Sequence, residues 1–170
     1  MNNSLIPITL THFRDNVSIR FNNILDGLNK FSNFTIDGTL IENSEETIIN
    51  YLTEIFKEND NECYIDFYIN RLDDCEINRL INLLPEEDKL FLHNIISINH
   101  NDIYYKITNK NLIPFFTRMN TRELFFVTLY FTKKPVTIWG NYDFKFPCFF
   151  NNSDILNHYY NMAEKYNLIE

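Results

Sequence analysis

The stretch ELFFVTLYFTKKPVTIWGNYDFKFPCFF, residues 123–150, carries the clearest strand pattern in the chain. From Glu123 to Phe131 apolar side chains occupy both parities, which is typical of a central strand covered on both faces. Thr132–Pro135 predicts a turn, and Val136–Trp139 and Phe144–Phe150 predict two further strands. Three consecutive strands with short connections indicate an antiparallel meander at the C-terminal end of the chain.

Strand parity divides the aromatic rings of this stretch between two faces. One face takes the core-forming side chains of alternate residues, Phe144, Phe146, Cys148 and Phe150. Trp139 falls on the other face, where it is placed to line a groove with Tyr142 and Phe149. Gly140 keeps the backbone open beside them. Two interpretations of this second face remain: the final helix covers it as ordinary core, or its rings form a contact surface.

Periodicity elsewhere in the chain completes the fold prediction. The first helix is predicted to begin between residues 10 and 16 and to end at residue 30. Further helices are predicted over 43–57, 73–84, 85–96 and 153–166, and strands over 34–41, 63–70 and 103–107. Pro114 predicts that residues 109–120 are irregular, because proline interrupts a helix interior. We therefore expect one α+β domain over residues 1–170, with a mainly antiparallel sheet, a C-terminal meander of strands and four to five helices.

The sequence contains no pattern of a membrane or secretory segment. No run approaches roughly 18 consecutive apolar residues, and the N-terminus lacks both a positive start and a small-residue cleavage site. Cys63, Cys75 and Cys148 have no C-x-x-C spacing, which argues against a disulfide framework and a structural zinc site. A cytoplasmic protein with reduced thiols is the expectation that follows.

Motifs of known chemistry are missing from the sequence. The only glycines, Gly27, Gly38 and Gly140, do not form either glycine-rich loop that cradles nucleotide phosphates. Neither a zinc-protease motif nor a calcium loop is present. The four histidines, His12, His93, His100 and His158, have no third metal ligand at a useful spacing. The sequence thus predicts no cofactor and no metal, and it assigns no catalytic residue.

Charge is distributed unevenly along the chain. The whole chain has a formal net charge of −8, whereas residues 42–88 hold fourteen acidic and three basic residues, a net charge of −11. Residues 101–170 have a net charge of +2. A negative field repels nucleic acid and anionic membranes, since phosphate binding relies on lysine and arginine. It attracts a basic protein and speeds the encounter with it.

The leading hypothesis is therefore a small acidic domain that docks on a basic protein partner, with an inhibitor or toxin-immunity protein as one version. Carboxylates would steer the partner and exposed rings would anchor it. The predicted partner-binding residues are Glu45, Glu46, Glu54, Glu58, Asp60, Glu62, Asp66, Asp73, Asp74, Tyr64, Tyr68 and Trp139. One alternative is an enzyme whose cleft brings together His93, His100, Asp66 and Tyr68. Another is a self-associating structural protein that forms homo-oligomers through the aromatic C-terminal hairpin.

Overall fold

The computed structural model describes residues 5–98 and 100–169 and has an α+β fold. Within these residues a seven-stranded antiparallel sheet packs with seven α-helices. The strands are β1 Leu5–Pro7, β2 Ser32–Asp37, β3 Cys63–Asp66, β4 Tyr104–Ile107, β5 Thr128–Phe131, β6 Val136–Ile138 and β7 Lys145–Phe150. The helices are α1 Leu10–Asn16, α2 Ile24–Lys30, α3 Ser44–Glu58, α4 Asp74–Leu83, α5 Glu86–Ile96, α6 Leu112–Thr121 and α7 Ser153–Lys165. The predicted fold class is confirmed, although four to five helices are too few.

The sheet extends outward from the predicted meander. Its strand order is β1-β4-β3-β5-β6-β7-β2, so β5, β6 and β7 are consecutive neighbours, and every pairing is antiparallel. Leu129 lies opposite Ile138, and Ile138 lies opposite Cys148. Residues directly opposite one another point to the same side of a sheet. This register therefore puts Leu129, Ile138 and Cys148 on one face of the sheet, and the residues next to them in each strand point to the other face.

The segment expected to be irregular at residues 109–120 instead contains α6. Pro114 is the third residue of this helix. The N–H groups of the first helical turn have no partner within the helix, so a proline there removes no hydrogen bond. The prediction was wrong because the proline marks the start of a helix and does not interrupt one.

The central strand is shorter than the predicted 123–131. The side-chain amide of the buried Asn120 donates to the carbonyl oxygen of Val127 at 2.9 Å and accepts from its N–H at 2.8 Å. These two bonds hold the intervening residues as a loop, and β5 begins only at Thr128. All four of its residues are buried, as expected for a strand covered on both faces.

The predicted N-terminal helix is two helices. α1 ends where Val17 adopts an extended conformation, and α2 begins after Asn23, whose side chain accepts a hydrogen bond from the N–H of Asp26 at 3.1 Å. Asparagine is a favoured helix cap because its oxygen satisfies a free N–H of the first turn. The connection over residues 17–23 separates the two helices and leaves room between them.

One face of the sheet forms the main hydrophobic core with α3, α6 and α7. Ile65, Leu129 and Ile138 contribute the sheet side of this core. The final helix belongs to this face, because its buried Tyr159 packs on Phe150 with ring centroids 6.2 Å apart. The interpretation that α7 covers the face of Trp139 is therefore wrong.

The N-terminal segment covers the opposite face. Phe13 of α1 stacks on Tyr104 with ring centroids 4.1 Å apart and meets Tyr130 edge to face at 4.9 Å. Phe21, in the connection between α1 and α2, packs against Phe149 at 4.6 Å and stacks on Trp139 at 5.3 Å. The cover thus rests on two separate groups of rings, one beneath each end of the segment.

Candidate ligand pocket

A pocket of about 330 Å³ opens between the two parts of the N-terminal cover. We call it the N-terminal pocket and define it by its cations Arg14, Arg20 and Lys30, its floor carboxylate Asp66 and the ring of Trp139. α1 and α2 supply its walls, and the sheet supplies its floor. Its volume lies at the lower end of the range of pockets that hold small organic ligands.

The floor is a hydrogen-bonded carboxylate at the end of β3. One oxygen of Asp66 accepts from the N–H of Thr128 at 2.9 Å, and the other accepts from the hydroxyl of Tyr130 at 3.0 Å. Burial raises the pKa of Asp66, and these hydrogen bonds only partly oppose that effect. The Thr128 side chain also hydrogen-bonds to this carboxylate, so of its roughly four acceptor positions about one remains for a further donor.

Three tyrosines surround this carboxylate in the pocket lining: Tyr68, Tyr104 and Tyr130. Burial is the largest cause that raises the pKa of each phenol, and the negative charge of Asp66 raises it further. Phenols with a pKa above the ordinary value of about 10 stay protonated at neutral pH. The floor therefore presents neutral hydroxyl groups, which both donate and accept hydrogen bonds, next to one acceptor carboxylate.

Three basic side chains line the upper part of the pocket. Arg14 belongs to α1, Lys30 is the last residue of α2, and Arg20 lies between the helices. None of the three is within 4.0 Å of a carboxylate among the residues that the structure describes. Arg20 instead donates to the carbonyl oxygen of Val17, which orients its guanidinium. Asp26 of α2 lines the pocket as well, so with Asp66 the lining carries these three rim cations and two carboxylates and keeps a small positive excess in an acidic chain.

Aromatic rings complete the wall on the side of α2. Trp139 is partly buried and stacks on Phe21, with an interplanar angle of 22°. Gly27 makes this arrangement possible, because a Cβ atom there would lie only 2.8 Å from the Phe21 ring. Of the three residues expected to line a groove here, only Trp139 lines this pocket; Phe149 is buried beneath Phe21. Tyr142 packs against Phe126 and is absent from the described lining.

Part of the predicted acidic surface is neutralised within the molecule. Four of the predicted carboxylates pair with cations from the C-terminal part of the chain: Glu45 with Arg122, Glu58 with Lys134, Asp60 with Lys133 and Glu62 with Lys106. Glu54 accepts a hydrogen bond from the hydroxyl of Tyr166 at 2.6 Å. Ion pairs therefore neutralise part of the segment with a net charge of −11, whereas Glu46, Asp73 and Asp74 have no cation within 4.0 Å among the described residues.

The pairing of Glu45 and Glu58 also affects their ionisation. Burial alone would raise the pKa of Glu45, but hydrogen bonds from Arg122 and Thr121 outweigh it and the pKa is lowered. The same balance lowers the pKa of Glu58, which binds Lys134 and His158. Both carboxylates are thus held in their charged form by partners in the chain.

The remaining predicted residues divide between helix starts and the N-terminal pocket. Asp73 caps α4, and Asp74 and Glu46 are exposed in the first turns of α4 and α3. Asp66, Tyr68 and Trp139 come together in the pocket. Tyr64 is only 5% exposed beneath α1, so it is not an exposed anchor.

The two histidines expected in a catalytic cleft lie outside this pocket. A ring nitrogen of His100 is 3.2 Å from the carbonyl oxygen of Tyr104, and the imidazole packs against Tyr105. His93 is exposed near the end of α5. Of the four residues in that hypothesis, only Asp66 and Tyr68 line the described pocket.

The charge pattern of the sequence did not reveal the rim cations, because the N-terminal segment that contains them has no net charge. Residues 1–41 contain three basic and three acidic residues, so counting charge along the chain shows no excess. Tyr104 and Tyr130 could be placed beside Asp66 only from the strand register, in which Asp66 lies opposite both Tyr104 and Thr128.

Comparison with known proteins adds no assignment. No family model matches the chain, and neither the curated proteins nor the solved structures include a significant match. Over residues 5–98 and 100–169, no cluster of histidine, cysteine and acidic side chains is arranged to hold a metal ion. Within the same residues, no helix has the length and apolar character needed to cross a membrane.

Proposed function

We propose that this protein binds a small organic anion in the N-terminal pocket. The observation that carries the proposal is the set of rim cations Arg14, Arg20 and Lys30, which have no carboxylate within ion-pair distance among the described residues. Elsewhere in the chain, cations such as Arg118, Arg122 and Lys134 each pair with an acidic side chain.

The chemistry of the rim favours an anion. Arginine offers several N–H donors in a planar fork that matches carboxylate and phosphate groups, and lysine adds a compact positive charge. A pocket wall of low dielectric focuses this field and raises the local concentration of small anions. Hydrogen bonds to a charged group each contribute about 1.5–3 kcal/mol.

The shape of the site favours a small molecule over a polymer. The pocket is a concave site lined by residues of α1, α2 and the sheet. The chain as a whole has a net charge of −8, which opposes binding of a nucleic acid along its surface. A compact anion experiences the rim cations at close range and the remaining charge only at a distance, where salt screens it.

Trp139 provides the readout for a direct test, because it is the only tryptophan of the chain and lines the pocket. Ribose 5-phosphate, which does not absorb near the tryptophan band, is titrated while the fluorescence of Trp139 is followed. We expect saturable binding that weakens at least about tenfold in Arg20→Gln, as loss of one charged hydrogen bond requires. Arg79→Gln, at an exposed cation outside this pocket, is the matched control. Equal affinity in both variants would contradict the proposal.

Docking of a basic protein is a second candidate, favoured by the surface around α4. Asp73, Asp74 and Glu76 have no cation within 4.0 Å among the described residues. Leu83 is 57% exposed and lines a groove with Phe125 next to them. An inhibitor or toxin-immunity role belongs to this candidate by analogy with other acidic binding proteins.

Cross-linking in cells, followed by binding measurements at low and physiological salt, tests this second candidate. The expected partner is cationic, binds less well at higher salt, and loses affinity for Leu83→Ser because the apolar contact is removed. Recovery of only neutral or acidic partners would count against it, as would binding that salt leaves unchanged.

A further inference from the structure

The floor of the N-terminal pocket differs in chemistry from its rim. The helical side carries Arg14, Arg20 and Lys30 with one carboxylate, Asp26, whereas the sheet side carries Asp66. A simple inorganic anion would be attracted by the rim and repelled by this carboxylate. A ligand that fits both ends therefore combines a negative group with a separate hydrogen-bond donor.

The walls add a third requirement, a planar ring. Six of the thirteen lining residues are aromatic: Phe13, Phe21, Tyr68, Tyr104, Tyr130 and Trp139. Trp139 already stacks on Phe21, so only its remaining surface is free for a ligand. Flat rings with a π-face stack on such side chains whatever their substituents.

We infer that the ligand is a nucleoside monophosphate, with its phosphate at the rim cations, its base against Trp139 and an N–H group of the base donating to Asp66. This inference rests on the proposed function, because it names the class of anion that the same pocket takes. A volume of about 330 Å³ is small, which favours a mononucleotide over a dinucleotide. The phosphate is held by side chains, since the chain has no glycine-rich phosphate loop.

Guanine fits the floor best among the common bases. It presents an N–H and an NH₂ group side by side, so either of two adjacent donors can reach the carboxylate. Asp66 already accepts from the N–H and the side chain of Thr128 and from the hydroxyl of Tyr130, and one of these base donors would take its remaining acceptor position. Guanosine monophosphate is therefore the appropriate probe.

Calorimetric titration of the full chain with guanosine monophosphate and with ribose 5-phosphate tests the inference. We expect the nucleotide to bind at least about tenfold more tightly, since base stacking and the contacts to Asp66 are absent from the sugar phosphate. Asp66→Asn should weaken binding of the nucleotide by about tenfold, whereas ribose 5-phosphate should bind at least as tightly as before, because it loses only the repulsion of the carboxylate. Asparagine is nearly the same size but presents an NH₂ donor in place of one acceptor oxygen.

A second variant keeps the test valid if Asp66→Asn disturbs the fold. Trp139→Leu removes the stacking ring without touching the carboxylate, and it should weaken the nucleotide alone. Equal affinities for the two ligands in the parent chain would overturn the inference and leave the proposed function intact. If neither ligand binds the parent chain, both this inference and the proposed function are overturned. Circular dichroism of each variant distinguishes the loss of a ligand contact from the loss of the fold.

Discussion

Replacing Asp88 with alanine should be the most destabilising single change of an acidic residue in the described chain. Asp88 is fully buried and accepts two hydrogen bonds from the guanidinium of Arg118, the one from Nε at 2.6 Å. The Arg118 side chain is only 14% exposed. In Asp88→Ala its charge therefore remains largely buried with two donors unpaired, and Glu87, at 3.8 Å, is then the one carboxylate within 4.0 Å of Arg118 among the described residues.

The magnitude follows from the two groups that lose their partners. Each buried donor left without an acceptor costs about 1–3 kcal/mol. Removal of one member of a buried ion pair costs about 3–5 kcal/mol, because an uncompensated charge stays in the interior. Glu87 can replace part of the lost interaction, so we expect the free energy of unfolding to fall by about 3 kcal/mol, at the lower end of this range. For a chain of this size that loss lowers the melting temperature by about 6–12 °C.

Urea unfolding of Asp88→Ala, followed by circular dichroism, measures this loss directly. Glu87→Gln is the matched control, because Glu87 is adjacent and 70% exposed. Its effect should stay below about 0.5 kcal/mol. A loss of less than about 1 kcal/mol for Asp88→Ala would refute the reasoning, since it would mean that water reaches Arg118 freely.

Two further predictions concern packing and thiol access. Gly140→Ala should destabilise the protein by about 2 kcal/mol or more in the same urea assay, because an added Cβ atom would overlap the side-chain oxygen of Asn120. An unchanged midpoint of the urea unfolding curve would show that Gly140 and Asn120 do not approach each other this closely. A thiol reagent should modify Cys75 alone in the native chain and three thiols in denaturant, because burial raises the pKa of the Cys63 and Cys148 thiols and shields them. Rapid native modification of more than one thiol would contradict the buried positions.

The parts of the fold that sequence could predict are those with local signals. β6 and β7 follow from alternation and a short turn, and their register in turn fixes which rings share a face. α6 was missed because Pro114 was interpreted as an interruption, although a first-turn proline is equally compatible with a helix. The face covered by the N-terminal segment depends on contacts more than 90 residues apart, such as Phe13 with Tyr104, and no local pattern specifies those.

The candidate site was only partly within reach of the sequence. Asp66, Tyr68 and Trp139 were singled out, but as parts of an acidic or aromatic surface and not as one pocket. The charge count located the acidic residues correctly and could not show their partners. Pairs such as Glu62 with Lys106 join segments that lie far apart in the chain, so the count overestimates the surface charge.

Fluorescence titration of Trp139 with ribose 5-phosphate, in the parent chain and in the triple variant Arg14→Gln/Arg20→Gln/Lys30→Gln, tests the proposed pocket most directly. The account predicts saturable binding by the parent chain at a single site and no measurable binding by the triple variant, with unfolding curves that coincide. Binding that survives removal of all three cations, or a parent chain that does not bind this anion, would contradict it.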